Sequence, residues 1–162
     1  MTGPFLDGPI EGVVVRPLRP HQDSRGWLAE VFRQDEMDGL TDPAMAYVSV
    51  TLPGVTRGPH EHREQADLFA FAGPGEFQIV LWDARPNSPT RNRRMVEYGG
   101  RHRPTLVYVP AGVVHAYRSL GPEEGWVWNF PDRLYRGRDR CETVDEIRHE
   151  DQSDSPFQMP EA

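Results

Sequence analysis

Sixteen prolines and fifteen glycines cut this 162-residue chain into short pieces, and no window between them sustains a helical period. What lies between the breaks is apolar and β-branched: "GVVVRPL", "AYVSVTL", "DLFAFAG", "EFQIVLWD", "TLVYVPAG" and "GWVWNF". Short runs of this kind, each bounded by Gly, Pro or Asp, predict many strands at close spacing. The expected architecture is an all-β sandwich or barrel, formed by residues 1–162 as a single domain large enough to bury a core. Only "RQDEMDGL" and "VDEIRHED" look faintly helical. The closing stretch "HEDQSDSPFQMPEA" is expected to pack across the body or trail off.

Charge narrows the partners. A net charge of −7 disfavours a nucleic-acid ligand, which needs a broad basic face. All 18 cationic residues are arginine, so lysine chemistry is excluded, while bidentate capture of phosphate or carboxylate is available. The single cysteine, Cys141, forms no internal disulfide. No apolar run approaches the roughly 20 residues of a membrane span, and "MTGPFLDGPI" lacks the look of a signal peptide. The expected location is the cytoplasm.

Chemistry concentrates in "GVTRGPHEHREQ". If "PHEHR" is extended, His60 and His62 share one face and Glu61 takes the other. A third histidine, His115, follows the Pro-x-Gly turn of "VPAGVVHAY". Two histidines, a turn and a third histidine in an all-β chain resemble the two motifs of the cupin superfamily. In its metal-binding members this implies a ligand set of His60, His62, Asp67 and His115. His102 and His149 read as surface residues. Trp126 and Trp128 read as core or interface, and the arginines of "RNRR" with Arg101 and Arg103 as solvated loops.

Five segments, in order, are similar to the dTDP-4-dehydrorhamnose 3,5-epimerase family, a jelly-roll cupin branch that needs no metal. They are "DSRGWLAE" (23–30), "GVTRGPH" (54–60), "WDARPNSPT" (82–90), "VPAGVVHAYRSL" (109–120) and "EIRHED" (146–151). The resemblance implies a homodimer, no cofactor, and a nucleotide-diphosphate sugar bearing a 4-keto-6-deoxyhexose as substrate. It makes His60 the general base and Asp151 its orienting carboxylate. Arg25, Glu30 and Arg57 would contact the nucleotide and diphosphate, with Tyr47, Ser49, His115 and Asn129 completing the binding surface. The family's enolate-stabilising lysine has no counterpart in "EQADLFAF", and its tyrosine acid aligns with Asn129, while a second family tyrosine is kept as Tyr135. His62 after Arg-Gly-x-His resembles the related 3,4-ketoisomerases. Ketone migration, a metal-dependent cupin reaction and silent sugar-nucleotide binding are the alternatives to epimerisation.

Overall fold

A computed structural model describes residues 5–37 and 39–161. Among the described residues thirteen strands run β1 Leu6–Asp7, β2 Val14–Pro17, β3 His21–Asp23, β4 Gly26–Leu28, β5 Tyr47–Thr51, β6 Thr56–Glu61, β7 Asp67–Phe71, β8 Glu76–Asp83, β9 Arg93–Gly100, β10 Thr105–Val109, β11 Val113–Ser119, β12 Gly125–Asn129 and β13 Ile147–Arg148. One sheet has the order β1-β9-β8-β11-β6-β13 and the other β2-β10-β7-β12-β5, with β3 and β4 forming a separate hairpin. Every pairing is antiparallel except β1 with β9. This is the jelly-roll cupin fold.

Alternation along the strands builds the layers. Phe77, Ile79 and Leu81 of β8 meet Phe69 and Phe71 of β7 and Val113 and Tyr117 of β11 between the sheets. The intervening Val80 and Trp82 face outward and are roofed by Phe157 of the C-terminal stretch. Leu68 and Ala70 likewise face outward, under Met37 and Leu106. Strands β7 and β8 are thus buried on both faces, which is why they read as unbroken apolar runs rather than alternating ones.

All six apolar runs named above contain a strand. The faintly helical stretches do not become α-helices: the first holds a 3₁₀ turn at Gln34–Glu36, and the second contributes β13, paired to β6. Strand β9 overturns the reading of Arg93 and Arg94 as loop residues. Arg94 is anchored by the Asp7 carboxylate at 2.8 Å, which lets a strand carry that charge. His149 is not a surface residue either. Its Nε2 lies 2.9 Å from Glu61 Oε1 and its ring packs 4.6 Å from that of Phe157.

Candidate active site

Toward one end of the sandwich the inward-facing positions turn polar. Parity places Asp67 on the same face of β7 as Phe69 and Phe71, Asn129 beside Val127 on β12, and His115 beside Tyr117 on β11. Strand β6 runs alongside, with His60 opposite His115 in the ladder. The ladder slips between His115 and Tyr117, and the irregularity is built around Gly58, whose φ is +81°. A Cβ there would sit 2.6 Å from the His115 carbonyl oxygen.

The result is a cleft of about 1250 Å³, lined by Tyr47, Ser49, Arg57, His60, His62 and Tyr117 at its walls and by the 131–146 segment at its mouth. The His60 ring lies edge-on to His115 at 4.5 Å and 5.8 Å from His62. The same-face reading of His60 and His62 is therefore realised, and Glu61 points away to His149. Asp67 is fully buried beneath the histidines, its Oδ2 at 3.2 Å from His62 Nε2 and 3.5 Å from His115 Nε2. Its Oδ1 accepts from Asn129 Nδ2 at 2.8 Å and Gln65 Nε2 at 2.9 Å. Asn129 also donates to the Tyr47 hydroxyl, and Ser49 bonds the Tyr117 hydroxyl at 3.0 Å. Arg57 donates to Thr51 Oγ1 and the Val50 carbonyl, which fixes its guanidinium at the wall.

Burial sets the protonation states. It holds His60 neutral, far below the ordinary imidazole range, helped by the neighbouring His115 and His62. It does the same to His115. Burial would also lower His62, but the Asp67 hydrogen bond and charge, with the Asp145 carbonyl, more than offset it and favour the imidazolium. Desolvation raises the Tyr47 phenol to about 12. A pH prediction follows for stability. The unfolded chain protonates His60 and His115 near pH 6.5 while the folded one does not, so it binds more protons below that pH and stability falls as pH drops. His62 is protonated in both states there and is silent. His60 contributes up to about 1.4 kcal/mol per pH unit, and His115 adds to it in the same direction. Thermal melts from pH 6.5 to 5 should show this decline, and His115→Gln should make it shallower.

The remaining candidates are spread more widely. Tyr135 is half-exposed at the cleft mouth. Arg25 sits on the β3–β4 hairpin paired with Asp23, and Glu30 pairs with Arg33, both outside the cleft lining. Asp151 does not stand behind His60. Its exposed carboxylate accepts from Arg148 Nε at 3.1 Å. The carboxylates within 4.0 Å of His60 Nδ1 are those of Glu146 and Glu150, at 3.9 and 4.0 Å. The reason is a long-range contact: the short β13 turns back at His149, whose amide and that of Glu150 both donate to the Pro59 carbonyl, and this brings Glu150 rather than Asp151 to the ring. Asp145, which caps the amides of Arg63, Glu64 and Gln65 and accepts from His62 Nδ1 through its own carbonyl, is a further site residue that no motif announced.

Histidines from two adjacent strands converging with a buried carboxylate at the open end of a jelly roll define a cupin-fold enzyme site. The chain belongs to the dTDP-4-dehydrorhamnose 3,5-epimerase family, whose model matches residues 7–151. It is 36% identical over 127 residues to the probable low-salt glycan biosynthesis epimerase Agl13 of Haloferax volcanii, covering 78% of this chain and 81% of that one. It is 42% identical over 112 residues to the spore coat polysaccharide biosynthesis protein SpsL of Bacillus subtilis, covering 69% and 73%. In fold it is similar to a dTDP sugar isomerase from Desulfovibrio desulfuricans G20, with a TM-score of 0.80 at 24% identity over 98% and 94% of the two chains. The chain is an enzyme of the dTDP-sugar epimerase class.

Proposed function

We propose that this protein abstracts a proton from the carbon beside the ketone of a dTDP-linked 4-keto-6-deoxyhexose, with His60 as the base. The observation that carries the reading is a neutral His60 at the wall of a cleft large enough for a nucleotide sugar, with arginine beside it. A ketone acidifies the adjacent C–H, and a neutral imidazole within reach can take that proton. Glu150 and Glu146, held by Arg148 at 3.0 and 3.7 Å, take the orienting place assigned above to Asp151. The His62 imidazolium facing the cleft, or Tyr135 at its mouth, returns the proton. Return to the opposite face gives epimerisation, and migration of the ketone to C3 gives the ketoisomerase outcome that His62 favours.

The nucleotide reading is supported by a similar structure, ChmJ, a 3'-monoepimerase from Streptomyces bikiniensis in complex with dTDP-quinovose, at 26% identity and a TM-score of 0.75. A homodimer is supported by edge strand β5, where Val48 and Val50 are exposed, and by Trp27 and Leu28, exposed on the β3–β4 hairpin. In such an assembly that hairpin can bring Arg25 and Glu30 to a partner's cleft. A nucleotide-activated substrate fits a cytoplasmic location, and among the described residues no helix is long and apolar enough to cross a membrane.

Incubation with dTDP-4-keto-6-deoxyglucose in D₂O, followed by NMR at C3 and C5, tests the reaction. Deuterium with inverted centres means epimerase, a ketone at C3 means ketoisomerase, and binding with no exchange would leave only a silent binder. Arg57→Ala is expected to weaken dTDP binding by about 1.5–3 kcal/mol, the loss of a charge-assisted hydrogen bond, with the fold intact. Calorimetric affinity equal to wild type would move the diphosphate elsewhere.

A further inference from the structure

We infer that Phe157 and the Glu61–His149 pair, on the outer face of the sheet, are positioning residues that set the reach of Glu150 on His60. The reaction they serve is the one proposed above. Glu150 comes to the ring from just beyond β13, a strand of two residues at the edge of its sheet. Its backbone ties to β6 are two rungs, Ile147 with Glu61 and Arg148 with His60, and the two amides on the Pro59 carbonyl. So short an edge strand is weakly held by its ladder alone, and side-chain anchors decide where it lies.

The anchors lie behind the site. Parity on β6 turns His60 and His62 into the cleft and Glu61 out of it. Glu61 accepts from His149 Nε2 at 2.9 Å, so the residue before Glu150 is tied to the residue after His60. Nδ1 of the same ring is buried with no hydrogen-bond partner among the described residues, a cost that an apolar side chain in its place would avoid. The bond to Glu61 is what an imidazole adds there. Over the pair sits Phe157, itself buried, its ring edge-on to His149 with centres 4.6 Å apart and to Trp82 at 5.9 Å. With His149 and Glu61 left only 12% and 18% exposed, this roof keeps water from their bond and strengthens it. Phe157 is fixed in turn: Arg118 and Gln78 donate to the Pro160 and Glu161 carbonyls, at 3.1 and 3.3 Å, which holds the C-terminal stretch on the sheet. Glu146 has a separate anchor, because its neighbour Asp145 caps the amides of Arg63, Glu64 and Gln65. Loss of the roof therefore moves Glu150 and spares Glu146.

The inference rests on the proton-abstraction reading, and two measurements keep the two apart. Phe157→Ala should slow deuterium exchange beside the ketone by about three- to tenfold, the effect of a displaced orienting group, with KM and dTDP affinity unchanged. Phe157→Met, which refills the space with apolar atoms, should recover most of the rate. In a Glu150→Gln background Phe157→Ala should slow the reaction no further, because both changes act through one carboxylate. A protein merely loosened by the cavity would lose the same factor in both backgrounds, and that result would overturn the inference. The second measurement needs no turnover. In Phe157→Ala the amides of His149 and Glu150, the donors to Pro59, should exchange their hydrogens faster by about tenfold or more beyond any change along β8 and β11. Should Phe157→Ala fail to fold, Glu61→Ala, which leaves the apolar roof intact, should give the same two results. Unchanged protection of the two amides would overturn the inference whether or not the protein turns substrate over. Lost protection in a protein whose wild type abstracts no proton would remove the reaction and leave the clamp on Glu150 standing.

Discussion

His60→Asn is expected to slow deuterium exchange beside the substrate ketone by ~10²-fold or more, the contribution of a positioned general base. Asparagine keeps a polar side chain at the wall but offers no nitrogen lone pair that accepts a proton at neutral pH. The loss should appear in the exchange rate and not in dTDP affinity, because the proposed reading gives the diphosphate to Arg57 rather than to His60. Glu150→Gln should cost less, since its carboxylate stands 4.0 Å from the ring and orients it rather than reacting. Asp151→Asn should change the rate little, because that carboxylate is exposed and engaged by Arg148. Wild-type exchange in His60→Asn would shift the base to His62, and a large loss in Asp151→Asn would restore the role its position in the motif suggested.

The contrast between Glu150 and Asp151 shows where sequence reading stops. Strand existence was legible because burial demands apolar runs, and β7 and β8 are buried on both faces. The pairing of His60 with His62 was legible from strand parity alone. Strand β9 was not, because the charge of its Arg94 is matched by Asp7, a partner far away in the chain. The acidic segment 145–151 carries four carboxylates within seven residues, and nothing local distinguishes them. Which one reaches His60 is decided by the two amides that hang the segment from the Pro59 carbonyl, a contact between residues about ninety positions apart. The tautomer of His115 is set in the same way, by the Val113 carbonyl that no motif names.

Gly58→Ala is expected to be the most damaging single methyl group that can be added near the site. Two effects combine. At φ +81° an L-residue pays about 1–2 kcal/mol in backbone strain. The new Cβ would also lie 2.6 Å from the His115 carbonyl and 3.1 Å from His60 Nδ1, and the carbonyl cannot move without breaking the β11–β6 ladder. Together these should cost about 3 kcal/mol or more, lowering the melting temperature by roughly 6–12 °C in a chain of this size. Gly54→Ala supplies the control. Its φ of +73° carries the same strain, but nothing lies within 4 Å of the added methyl. It should lose only about 1–2 kcal/mol and retain exchange activity. In Gly58→Ala the histidine itself is displaced, so exchange should fall well beyond what the fraction of folded protein explains. Equal losses of stability in the two variants would mean that backbone strain alone is at work, and that the close approach of β6 to β11 is not what holds the base in place.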